Sequence, residues 1–367
     1  MPVIEAAVLE GPRELNIERV ELDEPRSDEV LVDIRAVGVC HTDHARYAGE
    51  ADIDLPAVLG HEGAGVVEAV GDRVSSVEPG DRVVLSVTTH CGSCGSCDRG
   101  EPFLCENDGP VHQGHMLDGT RRLSRDGESL SHFFAQSSFA ERAVVPASTA
   151  VPIPDDVPLE AAALLGCGAS TGIGSVLSTA DVDPGSSVAV FGCGGVGMSA
   201  LLGADAVGTS PLVTVDIAEN RLEAAADLGA THTVNSAEED PVERIEALTD
   251  GGPDYTFECI GNQQVQEQAL ASARSGGTAV MVGGAHGEER LGVHPRRDLL
   301  PGGKTIIGSV AGSLRPHYDI PRYARMYADG HLDLDALVTH TYDLDELDTA
   351  FERMEAGEGI RGVVTFD

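Results

Sequence analysis

The stretch "VAVFGCGGVG" at residues 188–197 decides the fold of the second half of the chain. An apolar run leads into Gly192, Gly194 and Gly197, which have the G-x-G-x-x-G spacing, and a helix-like run follows them. Gly192 permits a tight turn, Gly194 lets a pyrophosphate approach the backbone, and Gly197 allows a helix to pack closely on a strand. Because the chain has 44 glycines, the repeat alone is weak evidence. The strand–loop–helix context is what favours a dinucleotide-binding loop.

An acidic residue follows at the distance that such a loop requires. Asp216 ends the next apolar run, "PLVTVDI", 19 residues after Gly197. A carboxylate there accepts hydrogen bonds from both adenosine ribose hydroxyls and repels a 2′-phosphate. The alternative is a structural glycine turn beside an incidental aspartate. We interpret Asp216 as indicating NAD over NADP.

The pattern of apolar residues and turn signals changes near residue 156. From there, apolar runs alternate with helical patterns, which predicts a parallel sheet with right-handed crossovers. Residues 1–155 instead show short β segments between Gly, Pro and Asp, typical of an all-β, barrel-like unit. The polar stretch 109–135 is predicted to be a long surface excursion. A length of 367 residues fits two domains.

The composition is strongly acidic. Asp and Glu number 61 against 24 Lys and Arg, the formal net charge is −37, and Lys304 is the single lysine. A merely acidic cytosolic enzyme would fit, but we favour adaptation to high salt, where screening removes self-repulsion. An acidic surface argues against a nucleic-acid partner. No apolar run is long enough for a membrane span, and the amino terminus lacks a signal-peptide pattern, so a cytoplasmic protein is expected.

Half of the eight cysteines lie close together, with the spacing C-x2-C-x2-C-x7-C: Cys91, Cys94, Cys97 and Cys105. A reducing compartment disfavours disulfides. Four thiolates can close a tetrahedral shell around zinc and leave no position for substrate. An iron–sulfur cluster is the second interpretation. We predict structural zinc here, and expect Cys193 and Cys259 to be packed thiols without a metal.

Further ligand candidates are dispersed: Cys40, His61 with Glu62 beside it, and Cys167. Each lies beside a glycine or a strand end, where a side chain can project into a cleft. Taken singly, a cysteine is commonly a small buried hydrophobe, and a histidine is commonly a satisfied polar residue. Together, two cysteines and one histidine form a zinc site with a fourth position for water or substrate.

The order of these motifs carries a family resemblance. "CHTD" (40–43), "GHEGAG" (60–65), "CGSCGSC" (91–97), "LLGCGASTG" (164–172), "FGCGGVG" (191–197), "VDI" (215–217) and "DYTFECIGN" (254–262) resemble the zinc-dependent medium-chain alcohol dehydrogenases. The likeness covers nearly the whole chain. It is greatest to the class III branch, the glutathione-dependent formaldehyde dehydrogenases.

The resemblance implies an α/β fold with two domains. A GroES-like β-barrel catalytic domain would occupy 1–168, with a structural zinc lobe at 91–105. A Rossmann coenzyme domain, a doubly wound parallel sheet, would occupy 169–310. Residues 311–367 would return to complete the catalytic domain.

The resemblance also assigns the catalytic residues. Cys40, His61 and Cys167 match the catalytic zinc ligands. Thr42 matches the hydroxyl that bonds the substrate alcohol and starts proton removal, and Asp43 matches the carboxylate that orients the histidine ligand. Glu62 matches an acid near the metal.

The matched coenzyme contacts are His41, Thr171, Gly192, Gly194, Gly195, Val196, Gly197, Asp216, Arg221, Ile260 and Arg361. His41 and Arg361 match pyrophosphate contacts, where donors and positive charge suit the anion. Arg221 falls near the adenosine ribose. Thr171 and Val196 match the nicotinamide side.

Some positions depart from the family pattern. Many relatives end the proton relay with a histidine where this chain has Ala45; His44, one residue earlier, either replaces it or is a surface histidine. Residues 106–115 contain no arginine, where the glutathione-dependent branch uses one to hold the glutathione carboxylate. Val87 and Phe133 match the substrate pocket, and a small residue beside an aromatic would admit an ordinary primary or secondary alcohol.

The sequence therefore predicts an NAD-dependent alcohol dehydrogenase with two zinc ions per subunit, which transfers hydride reversibly between a small alcohol and NAD. The alternative is a formaldehyde dehydrogenase acting on an S-hydroxymethyl adduct of a thiol other than glutathione. A metal-free relative of the quinone-reductase type would lack Cys40, His61 or Cys167, and an NAD-binding sensor would not need Thr42. The excursion at 109–135 favours a homodimer, with a homotetramer as the alternative.

Overall fold

The computed structural model describes residues 2–284 and 290–366. The strands are β1 (Val3–Gly11), β2 (Glu14–Leu22), β3 (Glu29–Val39), β4 (Ala57–Val58), β5 (Gly63–Val70), β6 (Arg82–Leu85), β7 (Leu123–Arg125), β8 (Glu128–Ser129), β9 (Arg142–Pro146), β10 (Ala150–Pro152), β11 (Val188–Phe191), β12 (Leu212–Asp216), β13 (His232–Asn235), β14 (Tyr255–Glu258), β15 (Thr278–Met281), β16 (Thr305–Gly308), β17 (Val338–Tyr342) and β18 (Arg361–Thr365). The α-helices are α1 (His41–Tyr47), α2 (Gly95–Asp98), α3 (Gly109–His112), α4 (Leu159–Ala163), α5 (Gly168–Gly174), α6 (Gly195–Val207), α7 (Glu219–Asp227), α8 (Pro241–Leu248), α9 (Gln263–Ser272), α10 (Pro316–Ala328) and α11 (Leu347–Glu355).

The chain forms two compact units. The β unit comprises Met1–Cys167, Arg315–Gly330 and Val338–Asp367, and the α/β unit comprises Gly168–Leu314 and His331–Leu337. The functional domains 1–168, 169–310 and 311–367 stay a prediction. The second of these ranges includes residues 285–289, which lie outside the described residues.

Two sheets build the β unit. One has the strand order β4-β1-β2-β7-β8, and the other has the order β10-β6-β5-β3-β18-β17, with β9 also paired to β3. All of these pairings are antiparallel except that of β17 with β18. Apolar side chains from both sheets share one core cluster, in which Ile4 and Val8 lie with Leu31 and Val144. The predicted β-barrel-like unit is therefore confirmed, although it also contains short helices such as α1 and is not built of strands alone.

The α/β unit contains a parallel sheet of six strands in the order β13-β12-β11-β14-β15-β16. This is the doubly wound arrangement, in which the strand order reverses beside the first strand and leaves a crevice at the carboxyl ends. All four residues of β11 are buried, as expected for a strand that is covered on both faces. The prediction of a doubly wound parallel sheet is confirmed.

The glycine loop is positioned by β11 and α6. Helix α6 begins at Gly195, directly after the loop, and stops at Gly208, whose φ of 80° places it in the left-handed region. Glycine is favoured at such a helix end because it has no Cβ to clash. The loop thus joins a buried strand to a helix of 13 residues whose inner face is buried.

No single helix among residues 2–284 and 290–366 has both the length and the apolar character to cross a membrane. One broken pair, Leu159–Gly166 with Gly168–Thr179, meets that test when its members are taken together. Most residues of α4 and α5, which lie in this pair, are buried.

The stretch 109–135 differs from its predicted form. Strand β7 pairs with β2, and Arg122 is almost fully buried. The Nε and Nη2 groups of Arg122 donate to the two carboxylate oxygens of Glu29 at 2.9 and 2.5 Å. The prediction of a surface excursion is wrong for the second half of this stretch, because this ion pair and the strand pairing anchor it to the sheets.

His132 extends the same buried polar network. Its Nε2 atom accepts a hydrogen bond from the Arg122 backbone N–H at 2.9 Å. Burial and the neighbouring Arg122 and Arg121 lower the pKa of His132 to about 3, so the ring stays a neutral acceptor. The network therefore fixes the backbone immediately before Phe133.

Replacing Arg122 with Gln is expected to destabilise the β unit by about 3–5 kcal/mol, because it leaves the Glu29 carboxylate buried without its partner. The free energy of unfolding in urea, measured in molar salt, checks this. The matched control is Arg73→Gln, which removes an ion pair to Asp28 at 3.8 Å in which both side chains are 71% exposed. That variant is expected to lose less than about 1 kcal/mol. Equal losses in the two variants would contradict the role of the buried pair.

Candidate active site and metal centres

The clustered cysteines form a closed ligand set. The sulfur atoms of Cys91, Cys94, Cys97 and Cys105 all lie within 4.8 Å of one another. Helix α2 starts directly after Cys94, and a 3-10 turn at Pro102–Leu104 ends at Cys105. Each of the eight cysteines in the described chain is free of a disulfide, so the disulfide interpretation does not hold.

Amide donors surround these sulfurs. The backbone N–H of Glu106 donates to Cys94 Sγ at 3.4 Å, and Asn107 Nδ2 donates to Cys91 Sγ at 3.3 Å. The Ser93 backbone and the Asn107 side chain lower the pKa of Cys91 to about 6. Because a metal ligand must be the thiolate, these donors favour the ligand form of Cys91 and Cys94, whereas burial raises the pKa of Cys97 and of Cys105, which a bound cation would have to offset. Four sulfurs with no open position suit structural zinc.

The dispersed candidates come together in a second cluster. The ligand atoms of Cys40, His61, Glu62 and Cys167 lie within 4.8 Å of one another. Cys40 follows the central strand β3, His61 and Glu62 precede β5, and Cys167 is the last residue of the first segment of the β unit. Three separate parts of the β unit thus supply one buried set of sulfur, nitrogen and oxygen donors.

A glycine allows this close convergence. Gly60 has a φ of 94°, and a Cβ added there would lie 2.4 Å from the Phe139 backbone nitrogen. Another residue would clash with the Phe139 backbone and be strained at this φ, so the segment that carries His61 would have to shift. The glycine before His61 is therefore a requirement of the site geometry.

Asp43 orients the histidine ligand. Its Oδ2 atom lies 2.9 Å from Nδ1 of His61, and its Oδ1 atom accepts a hydrogen bond from the Gly60 backbone at 2.9 Å. Both side chains are fully buried. The close approach of Nδ1 to the Asp43 carboxylate leaves Nε2 as the metal-binding atom. Among the described residues, Nε2 has no hydrogen-bond partner, and Nδ1 has none of good geometry. A buried nitrogen without a partner, aimed at two thiols, fits a bound metal ion.

Charge within the cluster also fits a metal. Burial lowers the pKa of His61, but Asp43 and Cys40 more than offset this and raise it well above its usual range. A hydrogen bond from the Cys167 thiol lowers the pKa of Cys40 well below its usual range. The cluster therefore attracts positive charge, and its two sulfurs and one imidazole form a donor set that zinc prefers.

Glu62 and Arg361 form a buried ion pair beside these ligands. The Arg361 Nη2 group donates to Glu62 Oε2, and Arg361 is the first residue of β18. Burial raises the pKa of Glu62 to about 7 although Arg361 opposes the shift. The structure thus brings Glu62 into the ligand cluster. The pyrophosphate contact predicted for Arg361 stays a prediction, as does the one for His41, which is exposed on α1.

Helix α1 carries the candidates for proton removal. Thr42 is half-buried, whereas His44 is only 6% exposed and packs against Phe351 with ring centroids 6.0 Å apart. Its Nε2 atom lies 3.7 Å from a carboxylate oxygen of Glu355. The surface-histidine alternative for His44 is therefore wrong, because α11 covers the ring. Its part in a proton relay stays a prediction.

Aromatic rings surround the histidine ligand. The Phe133 ring lies edge-on to His61 with centroids 5.4 Å apart, and Phe134 lies 5.1 Å from the same ring. Val87 is half-buried, and its backbone N–H donates to the carbonyl of Gly166, the residue before Cys167. Phe134 is not among the pocket residues predicted from the sequence, although its position directly after Phe133 was a usable signal. The predicted pocket residue Phe133 does lie at the metal cluster.

The α/β unit gathers the predicted loop residues. A Cβ at Gly192, where φ is 96°, would lie 2.6 Å from Ile260 Cγ1, and one at Gly197 would lie 1.7 Å from the Gly192 carbonyl oxygen. Gly194 instead faces open space. The first and third glycines are thus needed for packing, and the second leaves the room that a pyrophosphate requires.

Asp216 holds the same loop from the next strand. One carboxylate oxygen accepts the Cys193 backbone N–H at 2.7 Å, and the other accepts the N–H groups of Ile217 and Ala218 at 2.8 and 3.0 Å. Ile260 follows β14 and is half exposed. These residues meet at the carboxyl ends of β11, β12 and β14, where the doubly wound sheet binds its ligand.

The remaining coenzyme candidates lie on helices of the same unit: Thr171 on α5, Gly195 and Val196 on α6, and Arg221 on α7. The side chains of Thr171, Val196 and Arg221 are half-buried. Their contacts to a coenzyme stay predictions.

The variant Cys97→Ser is expected to lose one zinc ion per chain, because three thiolates no longer close the tetrahedral shell. We expect its thermal midpoint to fall by about 5 °C or more. Metal analysis after dialysis and a thermal melt check this. Cys259→Ser, which alters a half-buried thiol outside both clusters, is the control and should keep two zinc ions. Two zinc ions and an unchanged midpoint in Cys97→Ser would contradict the assignment.

Comparison with known proteins agrees with this geometry. Residues 26–155 match the alcohol dehydrogenase GroES-like domain, and residues 195–329 match the zinc-binding dehydrogenase domain. The chain is 37% identical to S-(hydroxymethyl)glutathione dehydrogenase from Paracoccus denitrificans, over 98% of this chain and 99% of that protein.

Two solved structures are similar along the whole chain. An alcohol dehydrogenase zinc-binding domain protein from Burkholderia ambifaria has a TM-score of 0.96 at 39% identity and covers 100% of this chain and 99% of its own. Benzyl alcohol dehydrogenase from Acinetobacter calcoaceticus has a TM-score of 0.95 at 37% identity, with 100% of both chains covered. The motifs, the two metal centres and these matches agree: the chain belongs to the zinc-containing medium-chain alcohol dehydrogenase family.

Proposed function

We propose that this protein is an NAD-dependent alcohol dehydrogenase that interconverts a small alcohol with its aldehyde or ketone. The observation that carries this proposal is the buried set of Cys40, His61, Glu62 and Cys167, with His61 oriented by Asp43. Such a set, together with a complete glycine loop and Asp216, is what dehydrogenation of an alcohol requires.

Different residues of the chain would hold the metal and remove the alcohol proton. When bound, zinc supplies Lewis-acid chemistry at the alcohol oxygen, and NAD supplies the hydride acceptor. Cys40, His61 and Cys167 hold the metal. The Thr42 hydroxyl, on α1 directly after Cys40, would accept the alcohol proton while it gives up its own proton to solvent or to His44. His44 is the next group on that helix, and its ring faces the carboxylate of Glu355.

The position of Asp216 supports NAD as the coenzyme. Its carboxylate lies at the end of β12 beside the glycine loop. A 2′-phosphate placed there would meet a like charge, which costs several kcal/mol. The ribose hydroxyls of NAD would instead donate to the same oxygens.

The aromatic side chains around the metal cluster favour a substrate whose alcohol carbon is attached to an uncharged or aromatic group. Phe133 and Phe134 line the metal-binding histidine, and apolar rings favour an apolar group beside the reacting carbon. The Acinetobacter relative is named for benzyl alcohol. The Paracoccus relative is named for S-(hydroxymethyl)glutathione, which keeps a thiol adduct as the second candidate.

The acidic composition supports adaptation of this cytoplasmic enzyme to high salt. A net charge of −37 produces strong self-repulsion that only concentrated ions screen. Thermal unfolding in dilute buffer compared with molar salt tests this, and equal midpoints would contradict it.

The edge of the parallel sheet supports a homodimer. Strand β16 ends the six-stranded sheet, and Leu300 and Val310 on either side of it are exposed. An open strand edge beside apolar side chains is suited to pairing with a second copy. Light scattering tests this: a mass of twice the chain supports it, and a monomer mass contradicts it.

Replacing Cys167 with Ala is expected to abolish NAD reduction by alcohols, because it removes one sulfur from the catalytic metal site. NAD binding, measured by calorimetry, should be retained, since the glycine loop and Asp216 belong to the α/β unit. Steady-state NAD reduction across a panel of alcohols, with and without added thiols, is the activity assay. Unchanged turnover in Cys167→Ala would contradict the proposed function.

Replacing Asp216 with Asn is expected to lower the preference for NAD over NADP by about tenfold or more, because the like-charge repulsion is removed. The ratio of kcat/KM for the two coenzymes is the measurement. Asn keeps one oxygen that can accept the Cys193 N–H, so the loop retains part of its support. An unchanged ratio would mean that Asp216 does not contact the ribose.

A further inference from the structure

Arg46 is a half-buried cation beside the catalytic metal cluster. It lies on α1, one turn after Thr42, and its Nη1 group donates to the Thr42 carbonyl at 3.3 Å. Its guanidinium lies over the Phe133 ring, 5.5 Å from the ring centroid. Phe133 in turn packs against His61 with centroids 5.4 Å apart. One aromatic ring therefore separates the guanidinium from the ring of a metal ligand.

The donors of Arg46 are mostly unused. A guanidinium has five N–H donors, and the bond to the Thr42 carbonyl is the one hydrogen bond that the Arg46 side chain makes with described residues. None of the ion pairs found within residues 2–284 and 290–366 includes it. The nearby acid on α1, Asp43, is committed to His61 and to the Gly60 backbone.

Many arginines of this acidic chain are paired with a carboxylate, whereas Arg46 is not. With 61 acidic residues against 24 basic ones, a carboxylate partner is readily available, and Arg122, Arg125 and Arg361 each have one. Removing a guanidinium from water without a partner costs free energy. Contact with Phe133 recovers a part of it, since a cation–π contact is worth about 0.5–2 kcal/mol. The contact with Phe133 uses the face of the guanidinium and leaves the N–H donors at its edge available for a ligand.

The planar fork suits one ligand chemistry. Arginine binds a carboxylate through two parallel N–H···O bonds, which are stronger and more directional than bonds between neutral groups. A local cation also opposes the repulsion that a chain of net charge −37 exerts on an anionic substrate. The site would thus combine an apolar region at the metal with the Arg46 guanidinium on the other side of the Phe133 ring.

We propose that Arg46 is a specificity-determining residue that binds a carboxylate on the substrate, at the end remote from the carbinol carbon. The substrate class is then an alcohol that carries a carboxylate, with an aromatic ring or a short chain between the two groups. This inference rests on the proposed alcohol dehydrogenase function. The carboxylate can be part of the alcohol itself or of the thiol in a hydroxymethyl adduct, and Arg46 recognises the same group in both.

Matched substrate pairs test the proposal. The first pair is 4-(hydroxymethyl)benzoate and benzyl alcohol. The second is formaldehyde with 3-mercaptopropionate and formaldehyde with 2-mercaptoethanol. For each pair, NAD reduction gives the ratio of kcat/KM for the charged over the uncharged substrate, measured with the zinc-loaded protein at one fixed salt concentration. The wild type is expected to show a ratio above one for at least one pair.

In Arg46→Gln, the ratio for that pair is expected to fall about 10- to 100-fold, because a charge-assisted hydrogen bond is lost. The change should lie mainly in KM, since the contact is made equally before and during the reaction. Arg46→Lys should restore part of the ratio. The control is Arg19→Gln, which removes the same charge from an exposed position on β2 and should leave the wild-type ratio. Arg46→Met places an apolar side chain of similar length beside Phe133 and replaces Arg46→Gln if that variant fails to fold.

The outcomes separate the two proposals. If the wild type oxidises benzyl alcohol but both ratios are the same in wild type and in the folded Arg46 variant, the inference is overturned and the proposed function stands. If the wild type oxidises none of the four substrates, the proposed function is overturned and the inference with it. An equal fall of the ratio in Arg19→Gln would also overturn it, because net charge alone would then be responsible.

Discussion

The contact between Asp43 and His61 is the constraint on which the metal site depends. Both groups are fully buried; one carboxylate oxygen lies 2.9 Å from the imidazole Nδ1, and the other accepts a hydrogen bond from the Gly60 backbone. This fixes the ring, directs Nε2 toward the two sulfurs, and ties α1 to the segment before β5. Because His61 is fixed, the rings of Phe133 and Phe134 that pack on it are fixed as well. Ligand geometry and pocket shape therefore follow from one buried pair.

The two metal centres use similar ligands, but they differ in how the fold brings those ligands together. The four clustered cysteines are local in sequence, and backbone and side-chain amides donate to their sulfurs, so the lobe needs little from the rest of the fold. The catalytic set instead draws on three distant segments and becomes a site only when the β unit has folded. A closed ligand shell stabilises the fold. The dispersed set has Glu62 and its partner Arg361 beside the ligands, which add titratable charge at the site. We infer that the dispersed set is the reactive one.

Much of this could be predicted from sequence, because the signals are local. Local requirements of neighbouring residues explain the glycine loop, Asp216 and the spacing of the four cysteines. The spacing of apolar residues along the chain predicts the doubly wound sheet and the sheets of the β unit. The misses all involve long-range contacts. The Arg122–Glu29 pair, which anchors part of 109–135, joins residues 93 positions apart, and the Glu62–Arg361 pair joins residues 299 apart. No periodic pattern in the sequence indicates that His44 is buried under α11 or that Arg46 lies over Phe133.

Diffraction from crystals of the zinc-loaded protein, recorded above and below the zinc absorption edge, tests the central claim most directly. Two anomalous peaks per chain are expected. One should lie among the four clustered sulfurs, and the other at about 2.3 Å from the sulfurs of Cys40 and Cys167 and about 2.0–2.1 Å from Nε2 of His61. A single peak, or a second peak bonded to Nδ1 of His61 with Asp43 turned away, would contradict the assignment of the dispersed set as the catalytic metal site.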